Sequence, residues 1–346
     1  MKILGIETSC DETGAAIIEA DKKDNKVKLL SNSIASSLLL HAKTGGIIPE
    51  IAAREQVKYI IPVIDDALKG NKIEELDAIA VTVGPGLIGS LLVGVETAKT
   101  LAYIYKKPIV TVNHLIGHIY ANFIENQTSD IRNQKSKEIE FPAMALIVSG
   151  GHTDLVLIKG HGKIKWLGGT RDDAAGEAFD KIGRLLNLPY PAGPHIEKLS
   201  APVKNDLYNF PKPLIDSNDY DFSFSGLKTA VLREIEKKGK LNNETVSNIS
   251  YSMQRAIIEV LVKKTLKAAE EFKVKSILLG GGVSANQKLR EEFKSAISNQ
   301  QSAIKFFAPA KNLSTDNAAM IASAAFFNYK EVLWQKITAN PELYFD

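Results

Sequence analysis

Two stretches of this chain share one outline, and the repetition limits the folds open to it more than any other feature. Lys2 to Glu7 is mostly apolar, Thr8-Ser9-Cys10-Asp11-Glu12-Thr13 is polar, and Gly14 to Glu19 is apolar again. Pro142 to Val148, the short tip Ser149-Gly150-Gly151-His152-Thr153-Asp154 and Leu155 to Ile158 run in the same order. Apolar runs on either side of a short polar tip predict β-hairpins. A hairpin that recurs predicts two similar lobes facing a cleft, each offering its tip to one ligand. With 346 residues, 45% of them hydrophobic, the chain has the length and apolar content for about two such units.

Elsewhere strands and helices alternate. Lys28 to Ile34 reads as a third strand, and Gly45-Gly46-Ile47-Ile48-Pro49-Glu50 leads into a helix reaching about Leu68. Its apolar face is expected from Ile51, Ala52, Val57, Ile60, Ile61 and Ile64 at helical spacing. Asp77 to Val83 is a buried-type strand ended by Gly84-Pro85-Gly86. The helix Leu87 to Tyr105 follows, with Gly89, Ser90, Gly94 and Ala98 suited to close packing. Strand, glycine turn and helix in succession predict a parallel sheet with a ligand at its carboxyl edge. Ser276 to Leu279 runs likewise into Gly280-Gly281-Gly282-Val283, and Ser284-Ala285-Asn286 opens a helix where an anion is favoured. Main-chain N–H groups at Ser149-Gly150-Gly151 suit a phosphate, because glycine allows close approach. Each glycine element alone is equally an ordinary turn; the three together argue for a nucleotide between the lobes.

Glu125 to Glu140 is expected to be an exposed connection, and Pro189 to Phe224 to be rich in loops. Arg171 to Lys181 reads as a capped helix whose acidic side chains face the cleft or water. Gly226-Leu227-Lys228-Thr229 imitates a P-loop without the upstream glycine, so no phosphate role falls to Lys228. Long helices are expected over 243–272 and 285–297, and the last, Asp316 to Tyr329, returns to the first lobe. The expected division is therefore 1–110 completed by 313–335, and 111–312 carrying the ligand loops.

The clearest chemical signal is Val112-Asn113-His114-Leu115-Ile116-Gly117-His118. A helix capped by Asn113 puts His114 and His118 one turn apart on one face, where two imidazoles can grip one metal ion. The same pair also arises as two half-buried, hydrogen-bonded rings. Asp316, at the polar start of the last apolar helix, offers a carboxylate, although with Ser314 or Thr315 as cap it also serves simple helix-start electrostatics. Two histidines and one carboxylate with open positions suit Fe2+ first and Zn2+ second. Spacing alone does not bring residue 316 to residue 114.

Charge decides little: Lys plus Arg exceed Asp plus Glu by 43 to 40, a net +3 that permits an RNA partner without requiring one. The single cysteine, Cys10, excludes an internal disulfide. No apolar stretch reaches bilayer-spanning length, and Met1-Lys2-Ile3-Leu4-Gly5-Ile6 enters a strand with no signal-peptide pattern, so a cytoplasmic protein without a membrane partner is expected.

The motifs in their order resemble the tRNA adenosine threonylcarbamoyltransferase family, whose members once went under the name of O-sialoglycoprotein endopeptidases. They are Ile6 to Thr13, Gly84-Pro85-Gly86-Leu87, His114 with Gly117-His118, Val148 to Thr153, Asp172 to Lys181, Phe222 to Thr229, Gly280 to Asn286 and Ser314-Thr315-Asp316-Asn317. The resemblance spans nearly the whole chain. It implies the actin, hexokinase and Hsp70-like (ASKHA) α/β fold, with two ribonuclease-H-like lobes around a nucleotide cleft. It implies transfer of threonylcarbamoyl from threonylcarbamoyl-AMP to the N6 amine of the adenosine beside the anticodon in tRNAs reading codons that start with A. Residue by residue, it implies metal ligands at His114, His118 and Asp316. It implies substrate contacts at Ile147, Val148, Ser149, Gly150, Gly151, Asp180, Gly193 and Asn286. A paralogous partner of the same fold and a small P-loop ATPase are implied as well. Two positions depart from the family pattern: Ile116 stands where bacterial relatives often carry Glu, and Ala192 where a Gly usually precedes Gly193, which puts the loop conformation there in question.

A metal that polarises the carbamoyl carbonyl, attack by the adenine amine and departure of AMP make a coherent reaction. Asp11 or Glu12 is placed to take the amine proton, and Cys10, without an identifiable base, is given a packing role. Two other classes are weighed. A metallopeptidase wants a Glu inside the His pair, where Leu115 and Ile116 stand. A nucleotide-binding regulator or kinase-like member of the sugar-kinase superfamily would show ATP or sugar chemistry and leave tRNA untouched.

Overall fold

The computed structural model describes residues 1–21, 26–125, 138–239, 241–300 and 302–345. Two compact units result: Met1–Ser136 with Pro309–Asp346, and Lys137–Ala308. The first boundary expected at 110 thus differs from this division by the segment that carries the histidine pair. Most of the connection expected over Glu125 to Glu140 lies outside the described residues.

The first unit begins with strands β1 (Lys2–Glu7), β2 (Glu12–Asp21) and β3 (Lys26–Ser36), then helices α1 (Leu38–Thr44) and α2 (Pro49–Leu68). Strand β4 (Ala78–Gly84), α3 (Ile88–Tyr105), β5 (Ile109–Asn113) and α4 (His114–Tyr120) follow. The second unit holds β6 (Ala143–Val148), β7 (Thr153–Gly160), β8 (Lys163–Gly169), α5 (Ala175–Leu185) and α6 (Gly193–Ser200). It continues through α7 (Ser225–Lys238), α8 (Asn243–Glu271), β9 (Ser276–Gly280), α9 (Gln287–Asn299) and β10 (Lys305–Phe307). The chain then returns to the first unit with α10 (Ala318–Phe327) and β11 (Glu331–Val332).

The strand orders are β11-β5-β4-β1-β2-β3 and β10-β9-β6-β7-β8. In each sheet the first strand of the unit, β1 or β6, pairs antiparallel with the next strand and parallel with the strand on its other side, β4 or β9. The hairpin repeat expected from the sequence is therefore a repeat of topology. Each sheet is buried by its own helices: Leu4, Ile6, Ile17 and Ile79 pack with Ile60, Ile64 and Val95 in one core. Leu146, Leu155 and Leu279 pack with Phe179, Ile257 and Leu261 in the other.

Several elements depart from the expected outline. Val57 and Ile61, expected on the buried face of α2, are 63% and 61% exposed, whereas Gln56 is buried. Helix α6 forms inside the stretch expected to be rich in loops, and strand β8 and helix α7 fill stretches to which the sequence assigned no element. The N-cap of α5 is Ala174 and makes no side-chain bond. Asp172, expected to face cleft or water, instead accepts from the amides of Phe224 and Ser225 at 2.7 and 3.2 Å, anchoring the start of α7. α10 is capped by Asn317 rather than Ser314 or Thr315: Asn317 Oδ1 accepts from the Met320 amide at 3.0 Å. Among the described residues no helix is long and apolar enough to cross a membrane.

Candidate functional site

The histidine pair is set by the end of β5. Asn113 Oδ1 accepts from the amides of Leu115 and Ile116 at 2.8 and 3.3 Å, so α4 starts at His114 and presents His118 one turn later. Helix α10 is apolar on every face and buried throughout Ala318–Phe326, as a helix without a polar stripe must be. It approaches β1 closely because Gly5 has no side chain; a Cβ there would stand 2.2 Å from the Ala318 carbonyl oxygen. It approaches α4 across Gly117, where a Cβ would meet Ile321 Cδ1 at 2.7 Å. With α10 so held, Asp316, just ahead of its cap, comes to the two rings. Asp316 Oδ1 lies 3.5 Å from His114 Nε2 and 3.2 Å from His118 Nε2. The three ligand atoms all lie within 4.8 Å of one another.

The surroundings fit a divalent cation. Buried Glu7, from β1, stands 3.2 Å from His114 Nδ1, and Ser9 Oγ stands 3.1 Å from the same nitrogen. Glu7 is itself fixed, accepting from the Ser9 amide at 2.6 Å and from the Thr82 hydroxyl at 2.5 Å. A carboxylate at Nδ1 selects the tautomer whose Nε2 lone pair is free for a metal. Burial opposes charge on His114, but Asp316 and Glu7 outweigh it and raise the imidazole to about 9. Burial likewise works to raise Glu7, yet the charge and hydrogen bond of His114 hold its carboxyl below the usual range. At His118 burial prevails over nearby Asp316 and, with the charge of His114, lowers the imidazole. His118 Nδ1 is buried without a hydrogen-bond partner among the described residues, and the buried Nε2 faces Asp316 Oδ1. A neutral imidazole whose buried Nε2 faces a carboxylate is suited to share a metal ion with it.

Asp11 and Glu12 lie at the β1–β2 tip of the same unit. Burial raises both carboxyls, and at Glu12 the charges of Asp316 and Asp11 push further, well above the ordinary range. Burial, Asp316 and Glu7 likewise push the Cys10 thiol well up, so it stays protonated and is no nucleophile.

The expected substrate contacts fall in the second unit. Ile147 and Val148 are fully buried in β6, so only their main chain can meet a ligand. The Ser149 amide donates to the His152 carbonyl at 2.8 Å and Ser149 Oγ accepts from the His152 amide at 3.1 Å, which closes the tip. Gly150 and Gly151 are exposed with nothing within 4 Å of a notional Cβ, whereas Gly176 and Gly281 pack against Ser149 and Val148. The start of α5 and the glycine turn after β9 therefore meet at the β6–β7 tip. Asp180 Oδ1 accepts from the Ala192 amide at 2.7 Å and so holds the main chain leading into Gly193. Ala192 itself lies at φ −81°, ψ −21°, an unstrained conformation for alanine, and Gly193 is not at positive φ. Asn286 is occupied on both sides: Oδ1 accepts from the Leu289 amide at 2.9 Å as the cap of α9, and Nδ2 donates to Gln254 Oε1 at 2.9 Å.

A family model described as tRNA N6-adenosine threonylcarbamoyltransferase matches residues 28–323. This chain belongs to that family. Relatives bearing the same name include one from Persephonella marina, 48% identical over 336 residues, covering 96% of this chain and 91% of the relative. Another, from Symbiobacterium thermophilum, is 47% identical over 330 residues, covering 95% and 92%. Among solved structures, HypF of T. kodakarensis aligns with a TM-score of 0.58 at 15% identity, over 94% of this chain and 47% of HypF. That likeness concerns fold alone and agrees with the actin and sugar-kinase class of α/β fold.

As a member of the threonylcarbamoyltransferase family the chain has a site richer than its motif positions indicate. Glu7 behind His114 stands within the first motif, Ile6 to Thr13, without a role assigned to it there, and Gln56 beneath the tip lies outside every motif. A signal exists for each: both are polar residues at positions that strand or helix periodicity turns inward.

Proposed function

We propose that this protein transfers the threonylcarbamoyl group from threonylcarbamoyl-AMP to the N6 amine of the adenosine beside the anticodon in tRNAs reading codons that start with A. The observation that carries the reading is the triad His114, His118 and Asp316, backed by Glu7, in a chain of this family. Two imidazoles and one carboxylate favour Fe2+, with Zn2+ as the alternative. A cation held there supplies Lewis-acid polarisation of a carbonyl oxygen. Glu7 keeps His114 in the ligating tautomer, and burial keeps His118 neutral. Asp11 or Glu12, whose carboxyls burial makes more basic, is the acceptor for the proton of the attacking amine. In the second unit the Gly150 and Gly151 main chain takes the phosphate, while Asp180 and Asn286 orient the nucleoside directly or by fixing the main chain they bind. The target base lies in a single-stranded loop, where little pairing has to be broken. The proposal extends to a cytoplasmic setting, a paralogous partner of the same fold and a small P-loop ATPase.

The test is mass spectrometry of tRNA nucleosides after incubation of the purified protein with threonylcarbamoyl-AMP and candidate partners. Threonylcarbamoyladenosine should form, and His114→Ala or His118→Ala should lose metal and transfer together. Full transfer by a metal-free double variant would end the metal assignment. Asn286→Ala is expected to weaken donor binding with metal content intact and, by removing the cap of α9, to cost about 1 kcal/mol of stability. Unchanged donor affinity by calorimetry would reduce Asn286 to a capping residue.

A further inference from the structure

The five consecutive carbonyls of the β1–β2 tip are all taken by groups from elsewhere in the first unit. Gln56 Nε2, from the middle of α2, donates to the carbonyls of Thr8, Cys10 and Glu12 at 3.4, 3.0 and 3.0 Å. The Ser9 carbonyl accepts from the Leu87 amide at 2.8 Å, and the Cys10 carbonyl also from Ser90 Oγ at 3.0 Å. The Asp11 carbonyl accepts from the Ser37 amide at 3.2 Å and from Ser37 Oγ at 2.8 Å. Gln56 is the hub, since it alone binds three of the five.

Its amide orientation follows from chemistry: three carbonyl oxygens face one end of the side chain, so that end is the NH2. The opposite atom, Oε1, is then buried and has no hydrogen-bond partner among the described residues. An unsatisfied buried acceptor is a standing cost that an apolar side chain of the same shape would avoid. A glutamine kept at 1% exposure under that cost serves through its donors. What those donors fix is the direction of a five-residue turn whose side chains include Asp11 and Glu12.

We propose that Gln56 is a positioning residue for the transfer reaction: by gathering alternate carbonyls of the tip onto α2, it holds the Asp11 and Glu12 carboxyls in the orientation that proton transfer needs. The inference rests on the reading of Asp11 or Glu12 as the base. Gln56 donates to main-chain carbonyls of the tip and acts through them.

Gln56→Met keeps the shape and removes the donors. Its kcat, normalised to bound metal, should fall about ten- to a hundredfold, the penalty of a misplaced catalytic group. KM for threonylcarbamoyl-AMP and the metal content should stay at wild-type values. A merely structural role would instead lower metal content and active fraction while leaving kcat per active site alone. Gln56→Lys supplies N–H donors again, three in place of the amide's two, to the same carbonyls and should recover most of the lost kcat. If Gln56→Met does not fold, Gln56→Lys decides, and a kcat as low as that of Asp11→Asn or Glu12→Gln overturns the proposal. Wild-type kcat in Gln56→Met, with Asp11→Asn or Glu12→Gln inactive, overturns the positioning role alone. Wild-type kcat in both carboxyl variants removes the base assignment and the inference together.

Discussion

At the scale of single residues, Glu7 is expected to govern how well the histidine pair binds a metal. Its carboxylate is the partner of His114 Nδ1, and the Ser9 amide and Thr82 hydroxyl keep it from turning away. Glu7→Gln keeps the volume and a possible acceptor but removes the charge that makes Nε2 a better donor. Loss of such an outer partner lowers metal affinity by roughly ten- to a hundredfold. Competition with a chromogenic chelator should show that loss while far-UV circular dichroism stays unchanged; wild-type affinity would mean that Glu7 only fills space. His114 and His118 were legible in the sequence because four-residue spacing on a capped helix is local information. Glu7 was not, because a charged residue ending an apolar strand looks like the beginning of a solvated turn. Its burial depends on Thr82 and His114, which lie 75 and 107 residues away.

At the scale of elements, the triad depends on how closely α10 lies to β1 and α4. Gly5 and Gly117 permit the two approaches, and they differ in what a methyl group would strike. At Gly5 the obstacle is a main-chain carbonyl oxygen at 2.2 Å, which moves only if α10 moves. At Gly117 it is the terminal methyl of Ile321 at 2.7 Å, which a rotamer change can clear. Gly5→Ala is therefore expected to cost about 1–3 kcal/mol and to displace Asp316, with metal affinity falling alongside. Gly117→Ala should cost under about 1.5 kcal/mol, as tolerated repacking does. Denaturant midpoints and metal content for the two variants check the order; equal losses would show that α10 is not the element that sets Asp316. Element positions were largely readable in advance, because β4 and β9 are apolar runs ending in glycine and α3 follows the glycine turn after β4. The buried face of α2 was read less well. Val57 and Ile61 share the spacing of Ile60 and Ile64, and periodicity cannot tell an apolar side chain facing the core from one facing out. Gln56 was hidden for the converse reason, being polar at a position whose neighbours in space are carbonyls rather than side chains.

At the scale of the molecule, the first unit is built from two separate lengths of chain, Met1–Ser136 and Pro309–Asp346. The apolar helix following Asp316 carried the expectation of a return to the first lobe, but only family resemblance joined Asp316 to the histidines, since nearly two hundred residues intervene. A cation held by His114, His118 and Asp316 ties the two lengths together, so its binding energy is folding energy for this unit and for no other. At a free concentration a hundredfold above Kd the gain is about 2.7 kcal/mol. Chelation should then speed amide hydrogen exchange in β1, α4 and α10, whose contacts surround the triad, and leave β6, β7 and β9 of the second unit as protected as before. Adding Fe2+ or Zn2+ back should restore protection in the first group only. Equal acceleration in both units would show that the metal stabilises the molecule by some route other than this triad, and no change in α10 would show that Asp316 does not bind it.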